Sequence, residues 1–406
     1  MKLRNVDTSA QFRAAAVIVS LCFLTALAAA EEGVGEPSQP MILVHYMPWY
    51  AAKPASPSWG WHWTMNSFNP DKEVDGRRQI ASKFYPLIGP YDSGDPHVLE
   101  CQLLQMKLAG IDGVIVDWYG LTKFRDYPIL HRNTQRLVDQ ATRLGMKFAI
   151  CYEDQTLPAL VEAGQLSDGR RVTHATGEIE WLAKNWFPLK SYVRLDGRPV
   201  LLSFGQTGLT DEEWSQCLVG LNSPVAYFSE HHRRTSALGA FDWPIPQEGL
   251  RGIERFRESS REWPRSIPVV FPRFVDIYAE AKVHDSWGRI DDDDGKTFRT
   301  SMTEALASRS RIIQIATWND WGEGTVIEPS LEFGYRDLEV LRELRRKHVD
   351  ASFPATSSDL RLPEKLLSLR RHSPEKAKQL DQIVDLIATG KLRQARSEMS
   401  DIDRGQ

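Results

Sequence analysis

Ala109-Gly110-Ile111-Asp112-Gly113-Val114-Ile115-Val116-Asp117-Trp118-Tyr119-Gly120 decides the fold. A helical pattern over residues 97–108 runs into it and stops at Gly110, the residue that most readily takes the left-handed turn closing a helix. Gly113–Trp118 then reads as a strand with both faces covered, because it is short and apolar throughout. It ends on an acid followed by two aromatics.

The same unit recurs outward in both directions. Strand patterns lie at 41–47, 147–152, 199–204, 224–228, 268–274 (despite Pro272) and 311–317, with 241–245 the weakest. Helical patterns separate them at 132–144, which also ends on a glycine, and at 178–186, 211–219, 297–308 and 335–346. Strands alternating with helices of this length predict an α/β fold with parallel pairing. Eight strands, with no Gly-x-Gly-x-x-Gly after the first, favour a closed (β/α)8 TIM-type barrel over residues 41–350 rather than a dinucleotide-binding sheet. Residues 351–406 form a charged helical extension, patterned at 363–371, 374–386 and 392–399. It is expected either to pack on the barrel exterior or to serve as a separate interaction module.

The 406 residues carry a formal net charge of −4, which offers no field to gather a polyanion, so nucleic acid is excluded as a partner. Protein partners are not indicated. At the start, Lys2, Arg4 and Arg13 precede an apolar run over 14–27 that ends in Ala28-Ala29-Ala30. This reads as a signal peptide (1–30) cleaved near Ala30, with export to the periplasm or outside, and no stable membrane anchor after cleavage. An uncleaved anchor is the alternative, but the run falls short of the roughly 20 residues a span needs. Residues 31–40 read as a linker. Of the four cysteines, cleavage would remove Cys22 and leave Cys101, Cys151 and Cys217, which are odd in number and lack C-x-x-C spacing, so neither a disulfide framework nor a zinc site is signalled. Cys151 reads as a buried small hydrophobe, with a catalytic thiol the alternative. The run Asp291–Asp294 suggests a turn before a helix or a calcium loop; it lacks the alternation and closing Glu of an EF-hand.

A barrel of this kind works at the carboxyl ends of its strands. Those ends deliver His45, Tyr46, Trp49 and Tyr50; Asp117, Trp118 and Tyr119; Tyr152, Glu153 and Asp154; Glu230 with His231-His232; Arg273; and Asn319, Asp320, Trp321 and Glu323. The loop Trp59-Gly60-Trp61-His62-Trp63 adds a dense aromatic patch, either a sugar-binding wall or packing for the loop. Several carboxylates among aromatics suit sugar hydrolysis: one carboxyl protonates the leaving oxygen, another acts as base or nucleophile, and aromatic faces stack on the sugar. Any single strand-end acid can equally be a helix cap or an ion-pair partner.

Trp318-Asn319-Asp320-Trp321-Gly322-Glu323-Gly324-Thr325, continuing through Ile327-Glu328-Pro329, resembles the signature of glycoside hydrolase families 71 and 99. Tyr46-Met47-Pro48-Trp49-Tyr50, the Gly110–Gly120 stretch and Tyr152-Glu153 are similar to that superfamily too, so the likeness spans roughly residues 41–345. The resemblance implies a hydrolase of α-linked manno- or gluco-configured oligo- or polysaccharides, acting with retention and without metal or cofactor, which the N-terminal pattern expects to be exported. Glu323 matches the family's general acid/base. Asp320 matches the Glu that deprotonates the sugar 2-hydroxyl in family 99; being one methylene shorter, it is expected to take that role or to act instead as nucleophile, base or substrate clamp. Gly322 stands where that family often has His. The expected substrate-binding residues are His45, Tyr46, Trp49, Trp61, His62, Trp63, Asp117, Trp118, Tyr119, Tyr152, Glu153, Arg273, Asn319 and Trp321. A non-catalytic carbohydrate-binding barrel is the alternative.

Overall fold

The structure is a computed structural model that describes residues 39–404. The expected signal peptide and most of the expected linker lie outside the described residues. From Pro40 onward the described chain belongs to one compact unit.

The strands are β1 (Met41–Tyr46), β2 (Gly113–Trp118), β3 (Lys147–Glu153), β4 (Arg198–Phe204), β5 (Ala226–Glu230), β6 (Gly239–Phe241), β7 (Arg265–Ile267), β8 (Val269–Val270) and β9 (Ile312–Ile315). β1 to β7 pair in chain order, all parallel. β9 returns to β1, with Met41 opposite Ile312. β7 and β8 are two halves of one stave broken at Pro268, the first pairing with β6 and the second with β9. Proline supplies no N–H to a ladder, but its carbonyl still accepts, and the N–H of Gln314 bonds it at 3.1 Å. Eight staves thus form the expected (β/α)8 barrel. The sixth stave differs from its pattern, ending at Phe241 because Pro244 and Pro246 cannot continue a ladder.

Around the staves lie α1 (Pro96–Ala109), α2 (Tyr127–Arg143), α3 (Arg171–Asn185), α4 (Asp211–Val219), α5 (Leu250–Ser259), α6 (Lys296–Ala307) and α7 (Arg336–His348). Their ends follow local chemistry. The Asp95 carboxylate accepts the N–H groups of His97 and Val98, Pro96 opens α1, and Gly110 closes it at φ 93°. Thr210 and Glu213 form a reciprocal capping box on α4.

Strand alternation sorts the core into two layers. Ile42, Val44, Val114, Val116, Phe148, Ile150 and Leu201 pack outward against the helices. Leu43, Ile115, Ala149, Cys151, Val200, Leu202, Ala226 and Phe228 fill the barrel interior. Cys151 is buried with its thiol pushed far up by burial, so the hydrophobe reading fits it.

The extension comprises α8 (Leu362–His372), α9 (Ala377–Ala388) and α10 (Leu392–Arg404). Leu366, Leu380, Ile383, Ile387, Leu392 and Met399 share one buried cluster with Leu99 and Leu103 of α1. Arg370 of α8 bonds Glu100 of α1 at 2.6 Å. No helix among the described residues is long and apolar enough to cross a membrane.

Candidate active site

The alternation that builds the core also selects what faces the barrel interior. Position 45 shares its parity with Leu43, 117 with Ile115, and 153 with Cys151, so His45, Asp117 and Glu153 point inward. All three are under 9% exposed. The rings of Phe204, Phe241 and Trp243 lie edge-on around the His45 imidazole. Burial lowers its pKa to about 3, so it is neutral, and neither ring nitrogen has a partner among the described residues.

The loop after β9 supplies the carboxylate pair. Its ends are pinched together where the N–H of Thr317 bonds the carbonyl of Thr325 and the N–H of Ile327 bonds that of Thr317, both at 3.0 Å. The Asn319 side chain clamps both backbone groups of Met47 at 2.8 and 3.0 Å, fixing the loop to the end of β1. Inside the pinch, the N–H of Glu323 donates to Asp320 Oδ1 at 3.1 Å, and the N–H of Asp320 donates to Thr317 Oγ1 at 2.8 Å. Gly324 sits at φ 67°, and a Cβ there would lie 2.7 Å from the carbonyl of Val275, so only glycine fits. The N–H groups of Val275 and Ile277 bond the carbonyls of Glu323 and Gly322 at 2.9 and 3.0 Å.

The two carboxyls titrate apart. Burial raises Asp320 to about 6, against the pull of the Glu323 and Gly322 amides. Burial pushes Glu323 well above the usual carboxylate range, helped by the charges of Asp320, Asp276 and Glu230. Burial and then the charge of Asp320 raise Asp117; burial, then Asp117 and Asp154, raise Glu153. Glu323 Oε2 and Asp117 Oδ1 have no partner among the described residues. One ionised and one protonated carboxyl on neighbouring turns can share acid and base work.

Two aromatic walls flank a cavity of about 230 Å³ whose lining includes Asp320 and Gly322. On one side His62 stacks on Trp49 at 4.2 Å, with Trp61 and Tyr119 beside them. Across the cavity, His284 stacks on Trp287 at 4.9 Å and Tyr278 meets both rings. Asp276 holds this second wall by accepting the N–H groups of Tyr278 and Trp287 and the Ser286 hydroxyl. The first wall continues into a cavity of about 600 Å³ that reaches Arg125, Asp126 and Tyr127.

Several expected substrate residues lie elsewhere, and alternation explains three. Tyr46, Trp118 and Tyr152 have outward parity: Tyr46 donates to Gln102 of α1, Trp118 packs on Trp181 and Trp186, and Tyr152 donates to Glu178 of α3. Trp63 is fully buried, its indole N–H held by the carbonyl of Tyr91 at 2.7 Å, so it packs the loop. Trp321 is likewise buried, donating through its side chain to Tyr91 and through its backbone to Tyr50. Asn319 spends its amide on Met47. Arg273 is 1% exposed and pairs with Asp292 and Asp337 while lying 3.7 Å over the Phe333 ring. Asp292 also accepts from Gly295 and Arg336, which gives the 291–294 run a structural role, and no group of three or more potential metal ligands occurs among the described residues. Trp49, Trp61, His62 and Tyr119 do line the cleft. The second wall was missed; its only sequence signal is the aromatic spacing of Tyr278, His284 and Trp287 after the seventh stave.

Residues 37–164 match the sequence model of glycosyl hydrolase family 99, and residues 290–341 match that of glycosyltransferase WbsX. The chain is 24% identical over 280 residues to a glycoprotein endo-alpha-1,2-mannosidase-like protein of Danio rerio, covering 61% of this chain and 60% of that one. It is 23% identical over 279 residues to the glycoprotein endo-alpha-1,2-mannosidase of Xenopus laevis, covering 62% and 59%. The match thus spans about 60% of these relatives' lengths. Among solved structures, the GH99 endo-alpha-mannosidase of Bacteroides thetaiotaomicron superposes with a TM-score of 0.58 at 18% identity, over 79% of this chain and 98% of that one. A glycoside hydrolase-like protein gives 0.54 at 14% identity, over 75% and 94%. These two share the fold. The sequence match over residues 37–164 and the shared fold thus make this chain similar to glycosyl hydrolase family 99.

Proposed function

We propose that this chain is an exported retaining glycoside hydrolase that cleaves α-linked glycans, with mannose-containing ones favoured by the names of its relatives. The observation that carries the reading is the buried Asp320–Glu323 pair, in which Asp320 is held near 6 and Glu323 stays protonated well above the usual carboxylate range. Asp320 takes the proton from the sugar 2-hydroxyl, and that oxygen attacks C1 as the glycosidic bond breaks. Glu323 gives its proton to the leaving oxygen. Water then adds to C1 as the C1–O2 bond breaks, its proton passing to Glu323, while Asp320 gives its proton back to the 2-oxygen. Asp117 and Glu153 face the same interior and bind hydroxyls; Trp49, Trp61, His62 and Tyr119 stack on sugar rings.

The test is reducing-sugar release from α-mannans, α-glucans and other polysaccharides by wild type and Glu323→Gln in parallel. Turnover by the wild type alone supports the reading. Glycan binding by both without turnover by either overturns it in favour of a carbohydrate-binding barrel.

A further inference from the structure

The end of β5 carries a side-chain cluster that the chemistry above does not use. Ala226 and Phe228 fill the barrel interior, and the same parity turns Glu230 inward. Glu230 lies opposite Phe241, just as Glu153 lies opposite Phe204, and both phenylalanine rings meet His45. Glu230 and Glu153 therefore occupy one inward level, and the charge of Glu230 reaches both Glu153 and Glu323.

Glu230 is held from two sides. Its Oε2 accepts the N–H of Gly205 at 3.2 Å, and its Oε1 faces His231 Nε2 at 3.6 Å. The other ring nitrogen of His231 lies 3.1 Å from Oδ1 of Asp242, which is 2% exposed beside the end of β6. His231 takes a left-handed φ of 54°, and its N–H bonds the carbonyl of Phe241 at 2.7 Å. That turn folds the imidazole back between acids from neighbouring strands. A ring with a carboxylate at each nitrogen is best satisfied as the doubly protonated imidazolium. Other charged groups near the pair are Arg255 beside His231 and Asp242, Arg234 and Asp154 beside Glu230, Asp211 and Arg233 lining one cavity of about 250 Å³ with Glu230, and the exposed His232, whose ring is 6.5 Å from that of His231.

We propose that Glu230 is a further substrate-binding residue, accepting hydrogen bonds from sugar hydroxyls near Glu323, and that His231, clamped by Asp242, is the positioning residue that fixes it. The proposal rests on the hydrolase reading of the same barrel mouth. Protonated His231 favours the ionised, accepting form of Glu230; once it deprotonates, Glu230 loses that partner and sugar affinity falls.

Two measurements on the full chain test it. Ring-nitrogen NMR across pH, assigned by the signal lost in His231→Gln, needs no substrate. The expected result is a His231 titration above the ordinary 6.5 that drops in both Asp242→Asn and Glu230→Gln. A His231 that titrates normally and ignores both changes overturns the clamp. Kinetics on whichever glycan the wild type cleaves should show Glu230→Gln raising KM about tenfold with kcat within about threefold. Wild-type KM should climb with pH through the His231 titration, and His231→Gln should flatten that climb. An unchanged KM in Glu230→Gln overturns the substrate contact. If the wild type binds glycan without cleaving it, Kd replaces KM. A wild type that neither binds nor cleaves overturns the hydrolase reading and the contact together, while the ring titration still decides the clamp.

Discussion

Replacing Asp320 with Asn should stabilise the protein at neutral pH and leave it nearly unchanged in acid. Asp320 is 5% exposed, and burial raises its pKa from an ordinary 3.8 to about 6. The folded protein therefore holds this proton more tightly than the unfolded chain does. Charging Asp320 costs nothing below pH 3.8, costs more as pH rises, and reaches a plateau above about 6. A shift of roughly two units corresponds to about 3 kcal/mol at pH 7.5. Asn keeps an oxygen to accept the Glu323 N–H, so the turn that carries both residues survives. Urea unfolding of wild type and Asp320→Asn at pH 7.5 and pH 4.0 measures the difference. The expected gain is about 3 kcal/mol at the higher pH and under about 1 kcal/mol at the lower. A variant no more stable than wild type at pH 7.5, or equally favoured at both, would refute the view that burial holds this carboxylate at a cost to the fold.

The ratio kcat/KM should follow a bell, rising as Asp320 ionises near pH 6 and falling as Glu323 loses its proton at higher pH; a rate that keeps climbing toward pH 4 contradicts the assignment. Arg273→Leu leaves the buried Asp337 with Arg336 as its remaining cation and should destabilise the fold by about 3 kcal/mol, with partial recovery in Arg273→Leu/Asp337→Asn, measured by urea titration. Trp287→Ala removes one face of the second aromatic wall and should raise KM about 2- to 10-fold with little change in kcat; an unchanged KM would place sugar elsewhere.

Much of the barrel is legible because each stave is a short apolar run between helix signals. The same property hides which side chains face inward: a strand covered on both faces has no polar side to set its parity. Tyr46, Trp118 and Tyr152 therefore match the substrate pattern in sequence, although each sits one position away from a true interior group. The carboxylate pair was legible from its motif. Its setting was not, since Asn319 and Trp321 are spent on Met47, Tyr50 and Tyr91, contacts made across more than 200 residues. The second wall escaped because residues 276–288 have no period; Asp276 organises them through local backbone and hydroxyl contacts. The sixth stave was misplaced because its three residues are weaker evidence than the prolines beyond them.

The rungs that tie Val275 and Ile277 to Glu323 and Gly322 make the second wall and the Asp320–Glu323 turn parts of one jaw. Phe274 and Val275 pair with Ile290 and Arg289 at its base, so residues 276–288 form a loop rooted on the backbone of Glu323. Grafting a different loop over residues 276–288 therefore requires keeping those two rungs, because a transplant that breaks them would reshape the aromatic wall and displace Glu323 at once.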